Sequence, residues 1–167
     1  MGQRHRGHRP DLGRGSGEFP GKDSLFDTAI RYQLRYGYAN GVELQIQSGG
    51  TSLRFEGTEG WVGNSGWRQP LEASSPEILA SKIGTEETHL YTCRGGEHRN
   101  FIDCVRSREA PYFPAEVGHR CATVLHMGNI SMGLGRKLSW DPASEAFVSD
   151  AEANALRSRP LREPWTL

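Results

Sequence analysis

The chain lacks a long apolar run and an excess of either charge. Its 167 residues carry 20 Lys and Arg against 20 Asp and Glu, so the formal net charge at pH 7 is zero. A neutral chain has no overall field that would attract nucleic acid or an anionic membrane surface. No apolar segment approaches the roughly 20 residues that span a bilayer, and the N-terminus lacks the apolar core of a secretory signal. We therefore expect a cytoplasmic protein with neither nucleic acid nor a membrane as a partner.

Cysteine is scarce, and the pattern expected of a metal site is missing. The three cysteines, Cys93, Cys104 and Cys121, contain no C-x-x-C pair, which argues against a disulfide framework or a zinc ribbon. His119 and His126 would lie two helical turns apart, about 10.5 Å along the axis, too far to share an ion. No nucleophile elbow or paired-carboxylate arrangement indicates a hydrolase. The sequence predicts free thiols, no metal and no catalytic residue.

Residues 1–20 differ in composition from the rest of the chain. They alternate Arg and His with Gly and contain almost no apolar side chains, so this stretch cannot bury itself. We predict a disordered basic leader. The alternative, an arm that binds nucleic acid, is less favoured because its five or six positive charges are not interleaved with aromatic residues.

Two strands are predicted next. The length of the turn between them follows from the requirement that their apolar side chains lie on the same face of the sheet. From Phe26 the apolar residues recur with a period of two, and the same period resumes after Gly41. A two-residue loop would place the two apolar sets on opposite faces. A three-residue loop over 39–41, closed by Gly41, instead pairs Leu34 with Ile46 and Tyr36 with Leu44. The three-residue loop is therefore our prediction.

The other face of this hairpin is polar. A polar sheet face is either solvated or paired with its own copy across a two-fold axis. We predict the second arrangement, a homo-oligomer that forms through this open face. Its residues are Arg31, Gln33, Arg35, Glu43, Gln45 and Gln47.

The remaining elements alternate short strands with helices. Short strands are expected at 53–56, 61–62 and 71–73, and a short helix over 77–82 capped by Ser75. An apolar stripe at helical spacing predicts a second helix with one packed side. It consists of His98, Phe101, Ile102 and Val105.

The longest helix is predicted from Ala115 to Leu134. Gly128 inside it is unfavourable for a helix, which suggests close approach to a neighbouring element. A last strand follows around Leu138 and Trp140, and Asp150 caps a final short helix. The residues expected to face inward on the long helix are Val117, Cys121, Val124, Leu125, Gly128 and Met132.

This order of elements predicts an α+β fold over residues 21–167 as a single domain. Its open, mainly antiparallel sheet has two or three helices packed on one face. Three segments carry a further resemblance by their order and spacing. They are residues 55–61 (FEGTEGW), residues 98–108 (HRNFIDCVRSR), and the long helix with its exit strand, 116–120 (EVGHR), 128–130 (GNI) and 135–142 (GRKLSWDP).

These segments closely resemble the C-terminal domain of the Gfo/Idh/MocA oxidoreductase family, over residues 17–167. The resemblance implies a two-domain NAD(P)-dependent enzyme of sugars or polyols, in which this domain shapes the substrate pocket and builds oligomers. The family's first domain needs a strand, a G-x-G-x-x-G turn and a helix. Gly13, Gly15 and Gly17 follow no strand and precede no helix, and no Glu-Lys-Pro triplet occurs.

The resemblance therefore implies a truncated domain that is inactive alone, since the segment carrying the family's catalytic Asp and His also precedes the matching region. We expect no cofactor in this chain alone and NAD(P) in the complete enzyme. The candidate substrate-binding residues are His119, Arg120 and His98, although the apolar stripe favours a buried or capping role for His98. The alternative function is a stand-alone binding or assembly module that docks on a full-length relative or on a carbohydrate.

Overall fold

The computed structural model describes residues 10–12, 15–89, 93 and 95–165. The strands along these residues are β1 (Pro10–Leu12), β2 (Ser16–Glu18), β3 (Arg31–Tyr38), β4 (Glu43–Gln47), β5 (Leu53–Glu56), β6 (Trp61–Asn64), β7 (Glu72–Ala73), β8 (Trp140–Asp141) and β9 (Ala146–Phe147). The helices are α1 (Pro76–Ala80), α2 (Gly96–Ser107), α3 (Ala115–Leu134) and α4 (Ala151–Ala155).

The chain divides into two compact units, and the single domain over residues 21–167 stays a prediction. The first unit combines the residues up to 48 with those from 115 onward, and the second consists of residues 49–114. The α+β class is confirmed, and every described strand pair is antiparallel. The described strands form three sheets instead of one, of four, three and two strands.

The hairpin of β3 and β4 in the first unit has the predicted register. Leu34 lies opposite Ile46 and Tyr36 opposite Leu44. Gly41 closes the three-residue loop with φ +84, and its N–H donates to the Tyr38 carbonyl at 2.9 Å. The predicted start at Phe26 is wrong, because β3 begins at Arg31.

The predicted disordered leader is wrong where the structure describes it. β1 and β2 both pair with β3, at Tyr36–Tyr38 and Arg31–Gln33 respectively. Backbone pairing needs no apolar side chain, so the polar composition of this stretch did not prevent it. The glycine at position 15 lets the backbone pack closely against Leu34, since a Cβ there would lie 2.7 Å from Leu34 Cδ2. The basic residues at 4–9 and 14 lie outside the described residues.

Helix α3 packs its C-terminal half on this sheet. Tyr36 is fully buried, and its hydroxyl donates to the Val124 carbonyl at 2.9 Å. Gly128 faces Tyr36 and Leu34 so closely that a Cβ there would lie 2.7 Å from Leu34 Cδ1, which confirms the predicted close approach. The buried apolar core consists of Leu34, Tyr36, Met127, Met132, Leu138, Phe147 and Ala153.

The N-terminal half of α3 departs from the predicted packing. Val117 and Leu125 are 45% and 50% exposed, and Cys121 is exposed as well. These three residues share one stripe at spacings of four, and we name it the α3 apolar stripe. The spacing of the apolar residues correctly predicted that they share one face of the helix. It does not show which part of that face is covered by a sheet.

A hairpin and a short helix complete the first unit. β8 pairs with β9, a strand that was not predicted from the sequence. The Asn154 side chain accepts from the Phe147 N–H and donates to the Phe147 carbonyl, at 2.9 and 2.8 Å. Asp150 caps α4 as predicted, by accepting from the Ala153 N–H at 3.0 Å.

Asp150 also makes this end of the unit sensitive to acid. Hydrogen bonds from Arg136, and next from the Ala153 N–H, lower the pKa of Asp150 from 3.8 to about 2. A carboxyl whose pKa is lower in the folded state adds stability above its unfolded pKa and loses it as the pH falls through the folded value. Wild-type stability should therefore decline between pH 3.8 and about 2 through this group.

Replacing Asp150 by Asn should flatten that part of the stability profile. Asparagine keeps the N-cap acceptor but carries no charge for Arg136. Thermal unfolding of the wild type and of Asp150→Asn at a series of pH values from 7 to 2 measures the difference. Glu152→Gln, which alters the exposed partner of Arg136 at 2.7 Å, is the matched control and should change the profile less. Identical pH slopes for wild type and Asp150→Asn would contradict the assignment.

The second unit contains the sheet of β5, β6 and β7 with helices α1 and α2. Ser75 caps α1 by accepting from the Ile78 N–H at 3.3 Å, and the helix ends at Ala80, two residues earlier than predicted. Helix α2 spans the predicted stripe, yet Phe101, Ile102 and Val105 are 66%, 46% and 49% exposed. The predicted packed side is therefore not covered, and we name these three residues the α2 apolar stripe.

A search of the described residues finds no helix that is long and apolar enough to cross a membrane.

Candidate functional site

The first turn of α3 positions the two strongest candidate residues. Pro114 precedes the helix, and residues 116, 119 and 120 then lie at spacings of three and four, which places them on one side. The Arg120 Nε donates to Glu116 Oε1 at 2.6 Å. The i, i+4 spacing of the two residues predicts such a surface ion pair.

The turn between β8 and β9 supplies a second carboxylate, that of Glu145. Asp141 shapes the turn, since its side chain accepts from the Ala143 N–H at 2.9 Å and from the Ser144 hydroxyl at 2.6 Å. Glu145 itself has φ +51, a left-handed backbone that is uncommon outside glycine. Arg157 donates to its carbonyl, which helps to hold the strained residue in place.

Glu145 joins the histidine and the arginine of α3. The His119 Nε2 lies 3.1 Å from both oxygens of the Glu145 carboxylate. The Arg120 Nη1 donates to Glu145 Oε1 at 2.8 Å. We name Glu116, His119, Arg120 and Glu145 the Glu145 cluster. It brings together two of the three predicted substrate-binding residues.

Two carboxylates bind Arg120 and fix its charge. The hydrogen bond to Glu116, followed by attraction to Glu116 and Glu145, raises the pKa of Arg120 above its ordinary value. The guanidinium is therefore a permanent cation that is already neutralised within the cluster. An anionic ligand gains little from such an arginine, whereas a carboxylate oxygen can accept hydrogen bonds from hydroxyl groups.

The sequence analysis missed Glu145 and Arg157. Glu145 lies 25 residues beyond Arg120, and only the β8–β9 hairpin brings its carboxylate back to α3. The signal was the apolar pair Ala146 and Phe147, which follows the turn-forming sequence Asp141 to Glu145 and indicates a returning strand. Nothing in the local sequence pointed to Arg157.

His98 belongs to the second unit. It lies in the first turn of α2 and is exposed, so the buried role favoured by the apolar stripe is wrong. Its role in substrate binding stays a prediction.

The predicted oligomer face is exposed along its whole length. All six side chains, Arg31, Gln33, Arg35, Glu43, Gln45 and Gln47, are on the exposed face of the hairpin. Arg35 Nε lies 3.5 Å from Glu43 Oε1, and the Gln45 amide donates to the same oxygen at 2.6 Å. Their exposure confirms the predicted orientation, and their role in assembly stays a prediction.

The described residues do not fit a dinucleotide or a metal ion. A dinucleotide site needs a parallel βαβ unit with a glycine-rich turn that opens a helix. Here Gly15 precedes the antiparallel strand β2 and Gly17 lies within it. Gly15 packs against Leu34 and Met132, and Gly17 packs against Met132. Across the described part of the chain, no group of three His, Cys, Asp or Glu side chains could hold a metal ion.

The fold and the cluster define an α+β domain with antiparallel sheets and a polar surface site. A comparison with family models identifies residues 28–167 as "Oxidoreductase family, C-terminal alpha/beta domain". The chain therefore belongs to the Gfo/Idh/MocA oxidoreductase family, of which it carries the C-terminal domain. Neither the curated proteins nor the solved structures include a match to this chain.

Proposed function

We propose that this chain is the substrate-pocket and assembly domain of an NAD(P)-dependent oxidoreductase that acts on sugars or polyols. On this proposal it is inactive unless another domain holds the dinucleotide. Family membership supports the reaction class. The observation that carries the pocket assignment is the Glu145 cluster, in which one carboxylate joins a histidine and an arginine.

The chemistry of the cluster suits a ligand with several hydroxyl groups. Each hydroxyl both donates and accepts a hydrogen bond, so a polyol needs acceptors and donors side by side. Glu116 and Glu145 provide carboxylate acceptors, and Arg120 holds both in position. His119 uses Nε2 for Glu145, and no hydrogen bond to its Nδ1 is seen among the described residues. That nitrogen is therefore available to a ligand hydroxyl.

A nuclear magnetic resonance titration of the full chain tests this assignment. We expect myo-inositol or D-glucose to shift the amide signals of residues 116–120 and 145 in a saturable manner, with a dissociation constant of about 1–10 mM for so small an exposed site. Glu145→Gln keeps the shape of the side chain but removes the charge that binds His119 and Arg120. It should weaken binding by about tenfold.

Glu18→Gln is the matched control, because Glu18 is an exposed carboxylate on β2 outside the cluster. It should leave the titration unchanged. Absence of saturable shifts with either compound, or equal weakening by both variants, would contradict the pocket assignment. Micromolar binding of NADH or NADPH by the purified chain would contradict the proposal that a second domain must hold the dinucleotide.

A second candidate function is that of a binding or assembly module that docks on a full-length relative. The exposed α2 and α3 apolar stripes favour it, because clustered apolar side chains on a surface mark sites of protein interaction. Co-purification with a protein that contains a dinucleotide-binding domain, reduced by Phe101→Asp or Val117→Asp, would support this candidate. An inert homodimer that retains no such protein would count against it.

The polar face of β3 and β4 is the proposed contact for self-assembly. Its mixed composition, two arginines, one glutamate and three glutamines, allows a two-fold copy to pair hydrogen-bond donors with acceptors. Gln33→Lys adds a positive charge to this face and should weaken a contact made through it.

A further inference from the structure

Strand β4 is the outer strand of the four-stranded sheet. Its register with β3 runs from Gln33–Gln47 to Gly37–Glu43. Among the strands that the structure describes, β3 alone pairs with β4. One long side of β4 therefore presents backbone groups that no described strand uses.

The alternation of bonded and non-bonded residue pairs in the hairpin shows which backbone groups of β4 point away from β3. The Tyr38 N–H donates to the Val42 carbonyl at 2.8 Å, and the Ser48 N–H donates to the Tyr32 carbonyl at 3.0 Å. Residue pairs of an antiparallel ladder alternate between bonded and non-bonded. Leu44 and Ile46 therefore bond to β3, whereas the N–H and C=O groups of Glu43, Gln45 and Gln47 point outward.

This edge lacks the devices that usually block strand addition. Natural edge strands carry lysine, proline, a bulge or an inward-pointing charge. β4 reads Glu-Leu-Gln-Ile-Gln, and its one charged residue lies at the end of the strand. The Glu43 carboxylate is also already paired with Arg35 of the same hairpin, at 3.5 Å.

We propose that β4 is a homodimerisation edge, at which two copies of the chain pair their β4 strands antiparallel about a two-fold axis at Gln45. In this register Gln45 lies opposite Gln45 of the second copy, and both exchange their outward backbone hydrogen bonds. The two sheets then become one continuous sheet. This contact is separate from the polar-face contact, because it uses backbone groups rather than side chains.

The side chains of β4 suit that register. Leu44 lies opposite Ile46 of the second copy, and both half-buried residues are on the face that α3 covers. Glu43 lies opposite the uncharged Gln47 of the second copy. The two Glu43 residues are then about 14 Å apart, beyond the roughly 8 Å screening length at physiological salt. A one-residue slip would instead place apolar residues opposite polar ones.

Sedimentation equilibrium of the full chain and three variants tests the edge contact. Proline at position 45 removes an outward N–H and leaves the bonds to β3 in place. Gln45→Pro should weaken dimerisation by about 100-fold, because the bonded pair at the axis is lost. Gln45→Ala keeps the N–H and should stay within about threefold of the wild type. Gln33→Lys alters the polar face on the inner strand β3. It should remove only the assembly that the polar face forms and leave a dimer through β4 of unchanged affinity.

Equal weakening by Gln45→Pro and Gln45→Ala would overturn the proposal, since it would assign the contact to the side chain. Loss of the dimer in Gln33→Lys alone would assign it to the polar face. A wild-type chain that stays monomeric at about 1 mM would overturn the edge contact outright.

Hydrogen exchange on the wild-type chain gives a readout that does not depend on how the variants fold. On raising the protein concentration from the monomer range to the dimer range, the amides of Glu43, Gln45 and Gln47 should exchange at least about tenfold more slowly. The amides of Leu44 and Ile46, which already bond to β3, should not change with concentration. Equal exchange of all five amides at both concentrations would overturn the proposal.

Discussion

Replacing Gly128 by alanine should destabilise the protein by about 2 kcal/mol, although alanine is the better helix former. The new methyl group would meet the Tyr36 hydroxyl and would lie 2.7 Å from Leu34 Cδ1. Tyr36 cannot move away cheaply, because it is fully buried and donates to the Val124 carbonyl at 2.9 Å. The sheet and α3 would have to separate, and urea unfolding followed by circular dichroism measures that cost.

Gly133→Ala is the matched control for Gly128→Ala. Gly133 lies in the same helix, and a Cβ there would meet nothing within 4 Å. The same substitution should therefore raise the free energy of unfolding by up to about 1 kcal/mol, which is the helix-propensity gain alone. A stabilising effect of alanine at both positions would contradict the close packing of α3 on Tyr36 and Leu34.

Replacing Ser131 by alanine should cost about 2–3 kcal/mol. Ser131 is fully buried. Its hydroxyl accepts from the Gly15 N–H at 3.2 Å and donates to the Arg136 carbonyl at 2.8 Å. The substitution leaves the Gly15 N–H and the Arg136 carbonyl without the hydroxyl. Gly15, directly before β2, then loses its hydrogen bond to α3.

Thr123→Ala provides the comparison for Ser131→Ala. The Thr123 hydroxyl also bonds a helix backbone group, the His119 carbonyl at 2.8 Å, but at an exposed position. Water replaces that hydrogen bond, so the expected loss is under about 0.5 kcal/mol. A similar loss in the free energy of unfolding for the two substitutions would show that Ser131 does not stabilise the contact between Gly15 and α3.

Local patterns in the sequence predicted the hairpin and the long helix well. The alternation of apolar residues allowed one turn length for β3 and β4, and the structure has that register. Helix α3 has the predicted ends. In both cases a strict period and a glycine at a position of special backbone geometry, Gly41 or Gly135, define the element.

The candidate site was predicted in part. The spacing of Glu116 and Arg120 indicated their ion pair, and both His119 and Arg120 lie in the Glu145 cluster. Glu145 was not predicted, because its contact with α3 depends on the β8–β9 hairpin, and a local pattern does not show which helix such a hairpin will face. His98 was placed on the correct helix, but its exposure was not predicted.

The sequence by itself determined the local elements, because each depends on neighbours a few residues away: the period of its apolar side chains, its caps and its turn glycines. It also determined the family, through the order of several motifs. Only the tertiary structure decided which apolar faces are covered. The α2 and α3 stripes have the right period for packing and stay exposed, while Gly17 pairs with β3 through its backbone and packs against Met132 of α3. Burial of an apolar face depends on which element, distant in the sequence, packs against it. The spacing of residues within the face carries no information about that element.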